Sequence, residues 1–285
     1  MLKTLTIVGV GLIGGSFALG LRKNGFRGRL IGVSHARSLA AALERGVVDE
    51  GLPLEQAVPQ SDLIYLALPI GRILEILPAV ARLAPPSALV TDAGSTKVDI
   101  VKEADRVFAG GATFLGGHPM AGKTERGVEA AEADLFRSAT YVLTPADNTL
   151  PSTEPVEEFC RWLERLGARP LVMPAQVHDC IAAFTSHLPQ LASTALASLV
   201  LEQMRSPDSW KVAGRGLRDA TRLAASAYDL WRDICLTNTD NIDRALTAYI
   251  ERLERLRENL RRRALEEDFR RGAEFAAQFQ KWLPP

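Results

Sequence analysis

An excess of charge is the first thing the sequence lacks. Lys and Arg together number 34, and so do Asp and Glu. The overall field therefore recruits neither nucleic acid nor a membrane surface, and attraction for an anionic ligand has to come from local charge. Cysteine is scarce: Cys160, Cys180 and Cys235 are odd in number, far apart and without metal-ligand spacing. That argues against a disulfide framework or a bound metal and for reduced thiols in a cytoplasmic protein. Glycines break up the apolar stretch between Leu5 and Leu21 that would otherwise read as a signal peptide, and no later run approaches a bilayer span. Repeats and low-complexity segments are absent too. What is left is an ordinary globular composition, and 285 residues suit two cores better than one.

One stretch organises the rest. Leu5-Thr6-Ile7-Val8 is a short β-branched run of the kind that forms a strand covered on both faces, and it leads into Gly9-Val10-Gly11-Leu12-Ile13-Gly14. The spacing fits the dinucleotide fingerprint. Gly9 allows a tight turn, Gly11 lets a pyrophosphate approach the backbone, and Gly14 lets the next helix pack against the strand. Leu12 and Ile13 then lie at the N-terminus of that helix, whose free N–H groups would meet the phosphates. A carboxylate about 20 residues further on would bind the ribose 2′-OH of NAD. This chain has Ser34-His35-Ala36-Arg37 there, after a second strand at residues 29–33. A hydroxyl and a cation suit a 2′-phosphate and lean towards NADP over NAD, with His35 near the adenosine phosphate. The alternative is that Ser34 caps a helix and Arg37 is a solvated charge.

Strand patterns recur at residues 62–69, 88–92, 113–115, 141–145 and 168–172, with helical patterns at 38–45, 73–83, 98–107 and 156–166. This alternation predicts an α/β fold with a doubly wound, mostly parallel sheet. Ligands bind outside the carboxyl ends of such strands, which singles out the loops at Leu68-Pro69-Ile70, Gly94-Ser95-Thr96-Lys97 and Gly116 to Gly122. Beyond Pro174 strand signals vanish. Ile181, Phe184, Leu188, Leu191, Ala195 and Leu199 recur at helical spacing, so residues 1–173 are expected to form the dinucleotide-binding domain and 174–285 an all-helical one. Pro189 interrupts that run, leaves the Thr185 carbonyl without its helical partner and favours a kink beside Ser186 and His187. Leu246, Tyr249, Leu253, Leu256 and Leu260 form a later seam, suited to intramolecular core or to a dimer contact.

Several segments taken together resemble the prephenate and arogenate dehydrogenases of tyrosine biosynthesis. They are the glycine turn, Thr91-Asp92-Ala93-Gly94-Ser95-Thr96-Lys97, Gly116-Gly117-His118-Pro119-Met120-Ala121-Gly122, Ser186-His187-Leu188-Pro189 and Gly216-Leu217-Arg218-Asp219-Ala220-Thr221-Arg222. The resemblance implies a Rossmann-type domain, a helical domain that makes a homodimer, and an active site between them. It also implies oxidative decarboxylation of a cyclohexadienyl substrate, prephenate or arogenate. Hydride leaves the ring carbon bearing the hydroxyl, the hydroxyl loses its proton, and the ring carboxylate departs as carbon dioxide.

Residue chemistry fits those steps. A base working near neutrality is most simply an imidazole, and the motif gives that role to His118. Ser95 is expected to bond the reacting hydroxyl or the nicotinamide, although Ser95 or Thr96 capping the next helix is an alternative. Substrate carboxylates suit guanidinium forks. Arg222 is the expected anchor, with Arg218 in support; the alternative for either is a surface arginine paired with Asp219 or Asp233, which fits Arg218 better than Arg222. By the resemblance His187 and Trp231 line the substrate cleft; otherwise His187 satisfies the carbonyl freed by Pro189 and Trp231 is a core or interface tryptophan. His178 receives no catalytic role. Many prephenate-preferring relatives have Thr-Glu directly after the Gly that corresponds to Gly122, whereas here Lys123-Thr124-Glu125 displaces the carboxylate by one residue. No chorismate mutase segment or added regulatory domain is expected, so tyrosine inhibition would act at the active site. The rival readings are a β-hydroxyacid dehydrogenase, which would want a catalytic lysine context absent around Lys211, and a nucleotide sensor without chemistry.

Overall fold

The computed structural model describes residues 2–123 and 125–282. The first half alternates as the periodicity predicts: β1 (Thr4–Val8), α1 (Leu12–Lys23), β2 (Arg29–Val33), α2 (Ala36–Glu44), β3 (Glu50–Gly51), α3 (Leu54–Ala57), β4 (Leu63–Leu66), α4 (Ile70–Leu83), β5 (Leu89–Asp92), α5 (Val98–Val107), β6 (Thr113–Pro119), β7 (Thr140–Thr144), α6 (Glu154–Arg165) and β8 (Arg169–Val172). Eight strands form one sheet in the order β3-β2-β1-β4-β5-β6-β7-β8. Every pairing is parallel except β6 with β7. Apolar clusters cover both faces, one built on Ile7, Phe17 and Tyr65 and the other on Ile64, Ile73 and Val90. The strand order reverses between β1 and β4, where an open sheet of this kind leaves a crevice for a ligand.

Two local readings change. The residues after Leu115 are not a loop, because β6 continues to Pro119: it leaves β5 after Leu115 and pairs with β7, His118 opposite Val142. Glycine makes the switch possible. A Cβ at Gly116 would meet the Thr144 hydroxyl at 2.3 Å, and one at Gly117 would meet the Asp92 carbonyl at 2.6 Å. The helix after β2 is entered at His35, and no side chain caps it, so Ser34 is not its cap.

The second half is helical: α7 (Ala175–Ala182), α8 (Leu188–Gln203), α9 (Pro207–Lys211), α10 (Arg215–Thr221), α11 (Tyr228–Thr237), α12 (Thr239–Arg262) and α13 (Glu266–Gln280). The kink expected at Pro189 takes the form of a π-helical turn, Ala183–His187, inserted between α7 and α8. This half buries very little by itself. Its own apolar cluster is Ala183, Ile242 and Ala245, while Ile181, Phe184, Leu199, Tyr249, Leu253 and Leu260 remain exposed. No helix among the described residues is long and apolar enough to cross a membrane.

Candidate active site

The glycine turn has the geometry its spacing asks for. Gly9 adopts φ +95°, and a Cβ there would lie 2.3 Å from the Ala67 carbonyl oxygen; a Cβ on Gly14 would lie 2.2 Å from the Gly9 oxygen. Both positions exclude any side chain. Gly11 faces open space, with nothing within 4 Å of an added Cβ, which leaves room for a pyrophosphate against the backbone. The Gly9 N–H donates to the carbonyl of Val33 at 2.8 Å, so the end of β2, with half-buried Ser34 and exposed His35 and Arg37, stands beside the turn.

From this turn a cavity of about 380 Å³ opens between the carboxyl ends of the strands and α11. Gly11, Leu12, Ile13, Leu68 and Pro69 line it together with Ser95 and His118. These residues are separated by up to 107 positions in sequence (118 − 11), and the parallel sheet brings them together. The capping alternative for Ser95 and Thr96 does not occur. Helix α5 is capped from the helical half, by Asp179, whose Oδ1 and Oδ2 accept from the N–H groups of Lys97 and Val98 at 2.8 and 2.9 Å. Thr96 instead bonds Thr237, Oγ1 to Oγ1, at 2.6 Å. The Ser95 hydroxyl is left on the cavity wall.

The two loops that carry Ser95 and His118 are held by a fully buried ion pair. Lys97 Nζ binds Asp92 Oδ2 and donates to the Gly117 carbonyl at 2.8 Å. Asp92 accepts from the N–H of Gly94 at 2.8 Å and of Gly117 at 3.0 Å. The pair is thus tied to the backbone next to Ser95 and His118, and such further hydrogen bonds are what make a buried ion pair tolerable. Burial pushes the Lys97 ammonium below its ordinary range, against the opposing pull of Asp92.

His118 stands in the cavity wall with its Nδ1 2.9 Å from His178 Nε2, and His178 Nδ1 is 2.7 Å from Asp179 Oδ1. Burial, then the neighbouring His178, Lys97 and His187, hold the His118 imidazolium well below the usual histidine range, so the ring is a neutral acceptor near neutrality. The sequence reading missed His178 and Asp179. The adjacent His-Asp pair, in the middle of a short helix, was the only sign of them.

The remaining expected residues fall outside this cavity. His187 is buried, and its Nδ1 faces Asn238 Nδ2 at 3.1 Å rather than the carbonyl freed by Pro189. Burial lowers its pKa to about 4, against the pull of Asp179. Trp231 packs against the sheet-side core and edge-on to His187, ring centroids 5.9 Å apart, with its Nε1 buried and without a partner among the described residues. Arg218 and Arg222 are exposed on α10 and the turn after it and do not line the cavity. Arg218 lies 3.5 Å from Asp219, the alternative weighed for it, whereas Arg222 makes no ion pair among the described residues. Lys123 and Glu125 reach the cavity mouth; Thr124 between them lies outside the described residues.

A glycine-turn crevice, a hydroxyl and a neutral imidazole facing one cavity, and a helical second half define a two-domain, dinucleotide-dependent oxidoreductase. Comparison with known proteins narrows this. The nucleotide-binding domain of prephenate dehydrogenase matches residues 17–172 and the dimerization domain of the same enzyme residues 174–275. Prephenate dehydrogenase of Bacillus subtilis is 35% identical over 277 residues, which cover 95% of this chain and 73% of that one. Prephenate dehydrogenase of Aquifex aeolicus, solved with hydroxyphenyl propionate and NAD+, superposes with a TM-score of 0.88 at 32% identity, covering 99% of this chain and 98% of that one. Arogenate dehydrogenase of Synechocystis superposes with a TM-score of 0.80 at 31% identity, covering 99% and 100%. The chain belongs to the prephenate dehydrogenase family, and its dinucleotide-binding fold and dehydrogenase class follow from that. The two rival readings are not favoured. Lys211, in particular, is exposed and bonded to Asp208 on α9, away from the cavity.

Proposed function

We propose that this enzyme oxidises and decarboxylates a 4-hydroxycyclohexadienyl dicarboxylate, prephenate or arogenate, in the synthesis of tyrosine, with Ser95 and His118 at the reacting hydroxyl. The observation that carries the proposal is the shared cavity, where a free Ser95 hydroxyl and the His118 ring meet the glycine turn. The turn and the residues at Leu68-Pro69 fit a nicotinamide dinucleotide, which when bound supplies the hydride acceptor. Neutral His118 accepts the hydrogen bond of the ring hydroxyl through Nε2. As hydride leaves the carbon bearing that hydroxyl, the C–CO₂ bond breaks, its electron pair enters the ring, and the proton drawn towards His118 returns to the phenolic oxygen. Ser95 orients the same hydroxyl or the nicotinamide amide.

Arg222 is proposed as the side-chain carboxylate anchor, because among the described residues its guanidinium makes no ion pair where that of Arg218 is engaged; His187 and Trp231 are proposed to line the substrate side. Ser34, His35 and Arg37 beside the turn support a preference for NADP. The break between the last strand at Val172 and α7 at Ala175 supports domains of 1–173 and 174–285. Three free cysteines suit a cytoplasmic enzyme, and the unfilled apolar faces of α12 and α13 suit a homodimer. Steady-state rates with prephenate and arogenate, each with NAD and NADP, test the reading. Reduced cofactor and carbon dioxide are expected in equal amounts, with the lower cofactor KM for NADP. No turnover in any of the four pairs would reject the activity, and a lower KM for NAD would reject the role given to Ser34 and Arg37.

A further inference from the structure

Three of the four histidines, His118, His178 and His187, are joined to one residue by two separate hydrogen-bond chains, and each chain has a polarity that can be read from its fixed end. The first starts at the Asp179 carboxylate. Backbone N–H groups of Lys97 and Val98 donate to its two oxygens, so both oxygens are acceptors. The His178 Nδ1 that faces Oδ1 at 2.7 Å must then carry the proton. In a neutral ring that makes His178 Nε2 the acceptor, and His118 Nδ1, 2.9 Å away, the donor. A neutral His118 is left with its lone pair on Nε2, which has no partner among the described residues.

The second chain starts at the main-chain oxygen of the same Asp179. It accepts from Asn238 Nδ2 at 2.8 Å, and Asn241 Nδ2 donates to Asn238 Oδ1 at 2.8 Å. A carbonyl oxygen can face only an N–H, so the Asn238 amide has a single satisfying orientation. Its other Nδ2 hydrogen points at His187 Nδ1, 3.1 Å away, which must accept. The proton of neutral His187 therefore sits on Nε2.

We propose that Asp179, acting through His178 on one side and Asn238 on the other, sets opposite tautomers in the two imidazoles, so that Nε2 of His118 accepts a proton while Nε2 of His187 donates a hydrogen bond. Asp179, His178 and Asn238 are positioning residues. Asp179 also caps the helix that follows Ser95, so the same residue aligns the hydroxyl and both rings across the junction of the two halves. The two tautomers match what a hydroxyl to be deprotonated and a carboxylate to be held would each require. The inference rests on the base role proposed for His118 and the substrate-side role proposed for His187, but the tautomers are observable without substrate.

The test is long-range ¹H–¹⁵N correlation of the full-length enzyme with labelled histidine, assigned by single replacement of each of the four rings. Protons are expected on Nδ1 of His118 and His178 and on Nε2 of His187. Replacing His178 then separates positioning from packing. His178→Gln keeps an amide that can donate to Asp179 and accept from His118; it is expected to retain the His118 tautomer and kcat within about 5-fold. His178→Leu is expected to mix the His118 tautomers and lower kcat by about 10²-fold with KM little changed, the scale of a lost acid–base alignment. Asn238→Asp puts an acceptor against His187 Nδ1, should move that proton to Nδ1, and should raise KM about tenfold, the cost of one hydrogen bond to a charged group. A wild-type spectrum with the proton on Nε2 of His118, with both nitrogens of His178 protonated, or with the proton on Nδ1 of His187 overturns the inference whatever the variants do. Expected tautomers in an enzyme inactive on all four substrate and cofactor pairs would instead reject the function while leaving the tautomer assignment standing.

Discussion

At the scale of single residues the site depends on keeping its imidazoles neutral. His118→Asn preserves a polar group of similar size but removes the basic nitrogen. It should lower kcat by about 10²- to 10⁴-fold while the dissociation constant for the dinucleotide stays within about twofold. Near-normal turnover would move the base elsewhere. The same neutrality has a pH consequence. His118 and His187 both have folded pKa values below that of an unfolded histidine, about 6.5, and for His187 the value is about 4. Their contribution to stability is complete above about pH 6.5 and is lost as pH falls towards 4, because the unfolded chain takes up the protons first. Melting temperature should therefore fall between those values, and His187→Gln should flatten the fall; an unchanged slope would exclude His187 as a source. Arginine roles separate by kinetics. Arg222→Gln should raise KM about 10- to 100-fold with kcat little altered, and Arg218→Gln should do neither. Equal effects would mean that the Asp219 pair does not distinguish them.

At the scale of elements, the glycine turn makes a prediction in which stability and binding part company. Gly14→Ala drives a Cβ into backbone at 2.2 Å, so the helix must shift and the melting temperature should drop sharply. Gly11→Ala puts the same methyl into open space. It should leave the fold and melting temperature intact yet weaken dinucleotide binding about tenfold or more by occupying the pyrophosphate approach; calorimetric titration with NAD and NADP distinguishes the two. This turn was legible in the sequence because its constraints are local: a strand, three glycines and a helix within about a dozen residues. The parallel sheet was legible for a related reason, since buried strands are continuous apolar runs. His178 was not. One of its partners, His118, lies 60 positions away, and the other, the adjacent Asp179, does not by itself distinguish a histidine in a relay from one in a helix. The true course of β6 was also hidden, because two glycines read as a loop when they were the means of a strand changing partners.

At the scale of the whole molecule, the seam on α12 explains why helical periodicity overstated the chain's own core. Leu246 packs against the small cluster around Ala183, but Tyr249, Leu253 and Leu260 on the same helix are exposed, as are Phe269, Phe275 and Phe279 on α13. The pattern is real, and among the described residues these side chains are left exposed. A helical half with three residues in its own buried apolar cluster has little to offset the entropy of ordering more than 100 residues (175–282). Its stability should therefore come from association of two copies across these faces, in keeping with its match to a dimerization domain. In that case melting temperature rises with protein concentration, because binding of a second copy stabilises only the folded form. Leu253→Glu buries a charge in the seam and should yield monomers by sedimentation, with loss of helical circular dichroism at low concentration while the dinucleotide-binding half stays folded. A Leu253→Glu protein that remains dimeric would place the contact on another face, and a wild-type melting temperature independent of concentration would mean that association does not stabilise the helical half.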